Sequence, residues 1–283
     1  MRLIISHQTN YFYEQLALRS VQYIRMTPMT LPHQTIHNWQ VMLPKVAQMQ
    51  TDGFGNQWLT LSRHEPHNNL QIQAFGEVEI NADTLFIPDN QQVPYQIFAV
   101  PTKLTQCSEA MRDFAHDALA QFLQSEDTDA QLAILKSLAK DLLDKMPYTK
   151  SVTHVGTTAE QAFAMAAGVC QDHTHVFLAL LRDKGIAARY VSGYIYEATQ
   201  AYMASHAWAE VWLAGNWYTF DISNQHFTPN CHVYIAFGRD YADAAPVRGV
   251  RTGGGDERLY SQVMVSTSPQ YIPQLNAQFA AQQ

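Results

Sequence analysis

The sequence predicts an α+β protein, with an all-β antiparallel sandwich ahead of a unit of helices packed on an antiparallel sheet. Three observations point there. Short apolar runs with period-two alternation fill the first hundred residues, three-to-four-spaced apolar stripes run from about residue 105 to 185, and strand alternation returns after His206. The 283 residues exceed the usual single-core size, so two domains are expected, at 1–100 and 101–267, with a Gln/Ala-rich tail at 268–283.

The amino-terminal runs are Leu3 to Tyr13, Leu16 to Tyr23, Ile36 to Leu43, Trp58 to Leu61 and Leu70 to Ile80. Leu70-Gln71-Ile72-Gln73 alternates as a half-buried strand must, and Asp52-Gly53-Phe54-Gly55-Asn56 supplies turn residues that tolerate positive φ. Pro88, Pro94 and Pro101 mark a linker, because each removes a backbone donor and disfavours helix before it. Helices are expected at about 105–123 and 128–146, the second carrying Leu132, Leu135, Leu138, Leu142 and Leu143 on one stripe and stopping at Pro147. Thr157 and Glu160 fit a capping box opening a short helix. Gly168 breaks the pattern, and a further stripe runs through Val169, Cys170, His173, Phe177, Leu178 and Leu181 to Gly185.

Composition excludes several classes of function. Charged residues are only 15% of the chain and the net charge is −7, which argues against nucleic acid, since that partner requires clustered Lys and Arg. The first apolar run is too short for an export signal and Val176 to Leu181 is far below the ~20 residues of a membrane span. A cytoplasmic protein with no membrane partner and with Cys107, Cys170 and Cys231 reduced is therefore expected.

Cys170 falls at a predicted helix amino terminus, where unpaired amides stabilise a thiolate and can also hold an oxyanion. Taken alone, an unpaired cysteine is more often a small buried residue. His206-Ala207-Trp208-Ala209-Glu210-Val211-Trp212-Leu213 alternates, turns at Ala214-Gly215-Asn216 and alternates back through Trp217-Tyr218-Thr219-Phe220-Asp221. A two-residue turn at 214–215 or 215–216 brings His206 and Asp221 to one face of adjacent strands, offset by two or four residues. A carboxylate beside an imidazole fixes its tautomer and supports its positive charge, and the imidazolium in turn stabilises a thiolate.

These residues resemble the bacterial transglutaminase-like proteins. The similarity is carried by Gly168-Val169-Cys170-Gln171-Asp172-His173, Gly185 to Tyr194, His206 to Trp212 and Trp217 to Asp221, and a later segment, Gly238 to Gly249, resembles the subgroup with an amino-terminal β domain. The resemblance implies a papain-like core with Cys170 as nucleophile, His206 as base and Asp221 as orienter. Ala187 and Ile222 stand where the family usually has proline, which bears on loop rigidity and leaves the three residues in place. The Cys170 backbone amide is the expected oxyanion donor, with Gln171 as a side-chain candidate. Tyr194, Tyr196, Trp208 and Trp212 are candidates to line a substrate groove, although aromatic strand residues are more often core.

Other chemistries fit less well. Cys170, His173 and His175 lack the paired spacing of a zinc site, no acidic loop of calcium-binding type is present, Gly253-Gly254-Gly255 has no following Lys-Ser or Lys-Thr, and Ser192 lacks a nucleophile-elbow glycine two positions before it. No metal and no cofactor is expected. The expected activity is acyl transfer through a thioester on Cys170, hydrolysing a peptide or carboxamide bond in a peptide, protein or small amide substrate. An amine acyltransferase and a non-catalytic binding module on the same fold are the alternatives.

Overall fold

The computed structural model describes residues 1–90, 92–198, 202–203 and 205–267, so the Gln/Ala-rich tail lies outside the described residues. β1 (Arg2–Ile24) is one long strand that joins two runs the sequence separates. Its register slips between Phe12 and Ala17, and that irregularity lets the strand bend while pairing continues. β2 (Gln34–Met42), β3 (Gln48–Thr51), β4 (Gln57–Arg63) and β5 (His67–Ile80) follow, with β5 antiparallel to the first half of β1 and β4 antiparallel to the second. One face of β1 and β5 serves two cores. Leu3, Ile5, Val78 and Ile80 pack with the helices, whereas Tyr11, Tyr13, Leu70, Ile72 and Ala74 pack against Ile24, Met26, Leu59 and Leu61 of the folded-back half. The sandwich is thus a single continuous hydrogen-bonded sheet curled on itself.

β6 (Ile87–Pro88) and a 3₁₀ turn (Tyr95–Ala99) occupy the proline-rich segment read as a linker. α1 (Glu109–Gln124) starts at Ser108, whose side chain accepts from the Met111 amide, and α2 (Thr128–Lys145) starts at Asp127, whose carboxylate accepts from Asp129 and Ala130. α3 (Ala159–Met165) is capped by Thr158 and Gln161, one residue later than the expected Thr157 and Glu160. Thr157 instead accepts the His154 amide. α4 (Cys170–Asp183) is buried continuously from Asp172 to Arg182 and forms the spine of the second unit. No described helix is long and apolar enough to cross a membrane.

β7 (Ala188–Ile195), β8 (Tyr202–Met203), β9 (His206–Leu213), β10 (Asn216–Phe220) and β11 (His232–Gly238) follow, and the second sheet runs β11-β7-β9-β10-β6. The expected linker therefore carries its edge strand. After α5 (Tyr241–Ala244), β12 (Val247–Gly253) and β13 (Glu257–Ser266), joined across the three glycines, pair with the second and the first half of β1 respectively. This corrects the expected division. Residues 247–266, assigned from sequence to the catalytic unit, complete the first sheet because the two halves of β1 offer them a hydrogen-bonding edge.

Beneath the second sheet, Arg189 and Glu210 form a 2.6 Å ion pair with both side chains buried, and the guanidinium lies 4.1 Å and 4.0 Å from the Trp217 and Phe237 ring centroids. Removing one partner strands the other charge. Glu210→Ala is expected to cost about 3–5 kcal/mol, read as a lowered urea midpoint at unchanged slope.

Candidate active site

Cys170 is the first residue of α4, and the local sequence fixes that start. Asp172 turns its carboxylate back, so that Oδ2 accepts the Val169 amide at 2.8 Å and the Thr153 hydroxyl at 2.6 Å. Gly168 makes room for this, since a Cβ there would lie 2.6 Å from the Asp172 Cβ. His173 ties the first turn to both sides of the site. Its Nε2 donates to the Met146 carbonyl at 2.7 Å and its Nδ1 accepts the Ser223 hydroxyl at 2.8 Å. Burial lowers the pKa of His173, which keeps this ring neutral.

His206 opens β9 and Asp221 directly follows β10. The two-residue turn is Ala214-Gly215, with φ of 48° and 83°, and it pairs Leu213 with Asn216 and Ala209 with Phe220. That register leaves the two-residue offset foreseen from sequence. The imidazole spans it diagonally, and Nε2 meets Asp221 Oδ2 at 2.7 Å. Asp221 is fully buried and His206 is 8% exposed, so little water screens the pair. Burial alone would lower the His206 pKa, but the charges of Asp221 and Cys170, with the hydrogen bond to Asp221, outweigh it and raise it to about 10. The same contacts hold Asp221 far below the usual carboxylate range against its own burial.

The chain matches the transglutaminase-like superfamily over residues 117–222 and the bacterial transglutaminase-like N-terminal region over residues 3–79. It belongs to the transglutaminase-like superfamily. An uncharacterized protein of Mycobacterium leprae is 26% identical over 268 residues, covering 90% of this chain and 94% of the relative. An uncharacterized protein of Mycobacterium tuberculosis is 26% identical over 282 residues, with 88% and 87% covered. A crystal structure from Cytophaga hutchinsonii, described as a candidate cysteine protease, shares the fold at a TM-score of 0.73 and 21% identity, with 94% and 90% covered.

In this transglutaminase-like protein Asp221 has two further partners that sequence reasoning missed. His232 Nε2 lies 3.1 Å from Asp221 Oδ2, and Asn224 donates to Oδ2 from its side chain at 3.0 Å and to Oδ1 from its backbone at 3.2 Å. Burial lowers the His232 pKa, so the ring is a neutral donor to the carboxylate. Its Nδ1 faces Cys231 Sγ at 3.6 Å, and burial pushes that thiol up to about 12, leaving an S–H to donate. The clustering of His226 and His232 behind Asp221 was the available sequence signal, but nothing local tells which of the 12 histidines turns inward.

The groove candidates Tyr194 and Trp208 are corrected by the structure. Trp208 is fully buried between His232 and Tyr234, and Tyr194 is 2% exposed with its hydroxyl 2.9 Å from His7 Nδ1. Both are core. Gln171 directs its amide to the Val155 carbonyl at 3.2 Å, away from an oxyanion role in this conformation. Tyr148 is a polar group the sequence did not single out. It lies beside the His173 ring, and burial with the charges of Cys170, Asp172 and Asp221 raises it to about 12.

His206, Asp221 and His232 bring three possible metal-ligand atoms within 4.8 Å of one another. The donor set fits a proton-bridged cluster better than an ion, because Oδ2 of Asp221 already accepts from both rings and from Asn224. His173 and His175 point apart, the latter accepting the Tyr241 amide at 3.1 Å.

Proposed function

We propose that this protein is a cysteine amidase or peptidase that works through a thioester on Cys170. One observation carries the proposal: an imidazole locked to a buried carboxylate at 2.7 Å, its pKa raised in part by the charge of a cysteine at the first position of a helix. The Cys170 thiolate attacks the carbonyl carbon, and the C=O pair moves onto oxygen. The amides at the start of α4, including that of Cys170, face the developing oxyanion. Collapse expels the amine, which takes its proton from the His206 imidazolium. The neutral ring then accepts a proton from water as it attacks the thioester, and acid is released while the thiolate and imidazolium re-form. We place the enzyme in the cytoplasm, where its three free thiols stay reduced.

Hydrolysis and amine transfer diverge only at the second attack. A peptide and carboxamide mixture incubated with the protein, with and without added glycine amide, separates them by mass spectrometry. Free acid formed at the same rate in both is the expected result, and it is absent in Cys170→Ala. Amine adducts that accumulate while acid stays at background would replace hydrolysis by transfer.

A further inference from the structure

A cleft of about 450 Å³ opens between the first sheet and the catalytic unit, with Tyr11, Arg248, Arg251 and Glu257 on one side and Val155 and Tyr241 on the other. The second of these walls is fastened to α4. The Val155 carbonyl accepts from Gln171, the neighbour of Cys170, and the Tyr241 amide donates to His175 on the same helix. Val155 on the cleft wall is thus bonded to the residue that directly follows Cys170. The volume is within the range of ligand pockets and suits one extended side chain with its backbone.

The cleft carries an uncompensated cation on a protein of net charge −7. Arg251 pairs with Glu257 at 3.3 Å and gives its remaining nitrogens to the Gly253 and Gly255 carbonyls, so those two charges cancel in place. Arg248 donates Nη1 to the Ala242 carbonyl at 2.7 Å and has no carboxylate partner among the described residues. Two phenols add donors. Tyr11, 9% exposed, and Tyr241 both line the cleft, and no described protein group hydrogen-bonds either hydroxyl.

We propose that this cleft recognises an acidic residue of the substrate, with the Arg248 guanidinium pairing its carboxylate and the Tyr11 and Tyr241 hydroxyls donating to it. One planar cation flanked by two neutral donors matches a single carboxylate, which a guanidinium can grip with its free Nε and Nη2. The proposal rests on the thioester function for its substrate sense, but its test does not require turnover.

The test uses Cys170→Ala protein and two rhodamine-labelled hexapeptide amides, (Ala-Glu)₃ and (Ala-Gln)₃, followed by fluorescence anisotropy at low salt. The Glu peptide is expected to bind at least about tenfold more tightly, a difference that 0.5 M salt erodes because the cleft is open to solvent. Arg248→Gln is expected to bring it to the Gln level, and Tyr241→Phe to weaken it severalfold while leaving the Gln peptide unchanged. Both variants are compared at matched urea midpoints. Equal affinities in the parent, or a preference for Glu that survives Arg248→Gln, overturn the proposal. A Cys170 inert to alkylation would instead remove the thioester function and leave the binding result standing.

Discussion

At pH 6.5 iodoacetamide is expected to modify Cys170 at least about a hundredfold faster than Cys107 or Cys231, and His206→Ala is expected to abolish that lead. The two reference thiols make the contrast sharp. Burial pushes Cys107 up to about 11 and Cys231 up to about 12, with the charges of Asp183 and Asp221 respectively adding to it. Each is then ionised in about one part in 10⁴ or less at this pH. Cys170 differs by facing an imidazole whose raised pKa keeps it cationic at neutrality and by sitting among the free amides of a helix start. Removing the ring withdraws one of these two stabilising charges. Peptide mass spectrometry over pH 5–9 gives the three rates separately, and a Cys170 rate in His206→Ala equal to the parent's at every pH would remove His206 from the mechanism. Turnover in that variant should fall by about 10³–10⁴, since base and leaving-group acid are lost together.

What the sequence revealed of this site follows from the range over which each constraint acts. The start of α4 is set by residues 168–172, and a two-residue turn sets the register of β9 and β10, so Cys170, His206 and Asp221 were accessible from local pattern. The order β11-β7-β9 is not local. It arises from pairing between distant strands and carries His232 to Asp221, which no spacing in the chain encodes. Alternation likewise placed His206 and Trp208 on one face without telling how that face is covered. The side chain at one end opens on Cys170 while the other is sealed under His232 and Tyr234. The same limit explains residues 247–266. Their alternation marks strands, but only the bent β1 supplies an edge for them.

Asp221→Asn is expected to lower turnover by about 10⁴, because an amide that donates where the carboxylate accepted favours the wrong tautomer of His206. The electrostatics point the same way. Without the carboxylate, burial becomes the dominant influence on His206 and draws its pKa down, so the imidazolium that accompanies the Cys170 thiolate disappears at neutral pH. Alkylation of Cys170 in this variant should then rise only toward alkaline pH, following ionisation of the thiol alone. A stability measurement gives an independent check. Asp221 is held below its unfolded value of about 3.9, so its contribution is present above that pH and is lost as pH falls through the folded value. The parent should therefore lose stability more steeply than Asp221→Asn below about pH 4. His232→Ala distinguishes positioning from simple burial. It removes one donor to Oδ2 while His206 and Asn224 keep theirs, so a loss of about 10–100-fold in kcat with KM little changed is expected, and His232→Gln, which retains a donor on a side chain of similar reach, should recover part of it. If the two substitutions lower kcat equally in proportion to lost stability, His232 acts through packing alone and Asp221 is oriented by Asn224 and the β10 terminus.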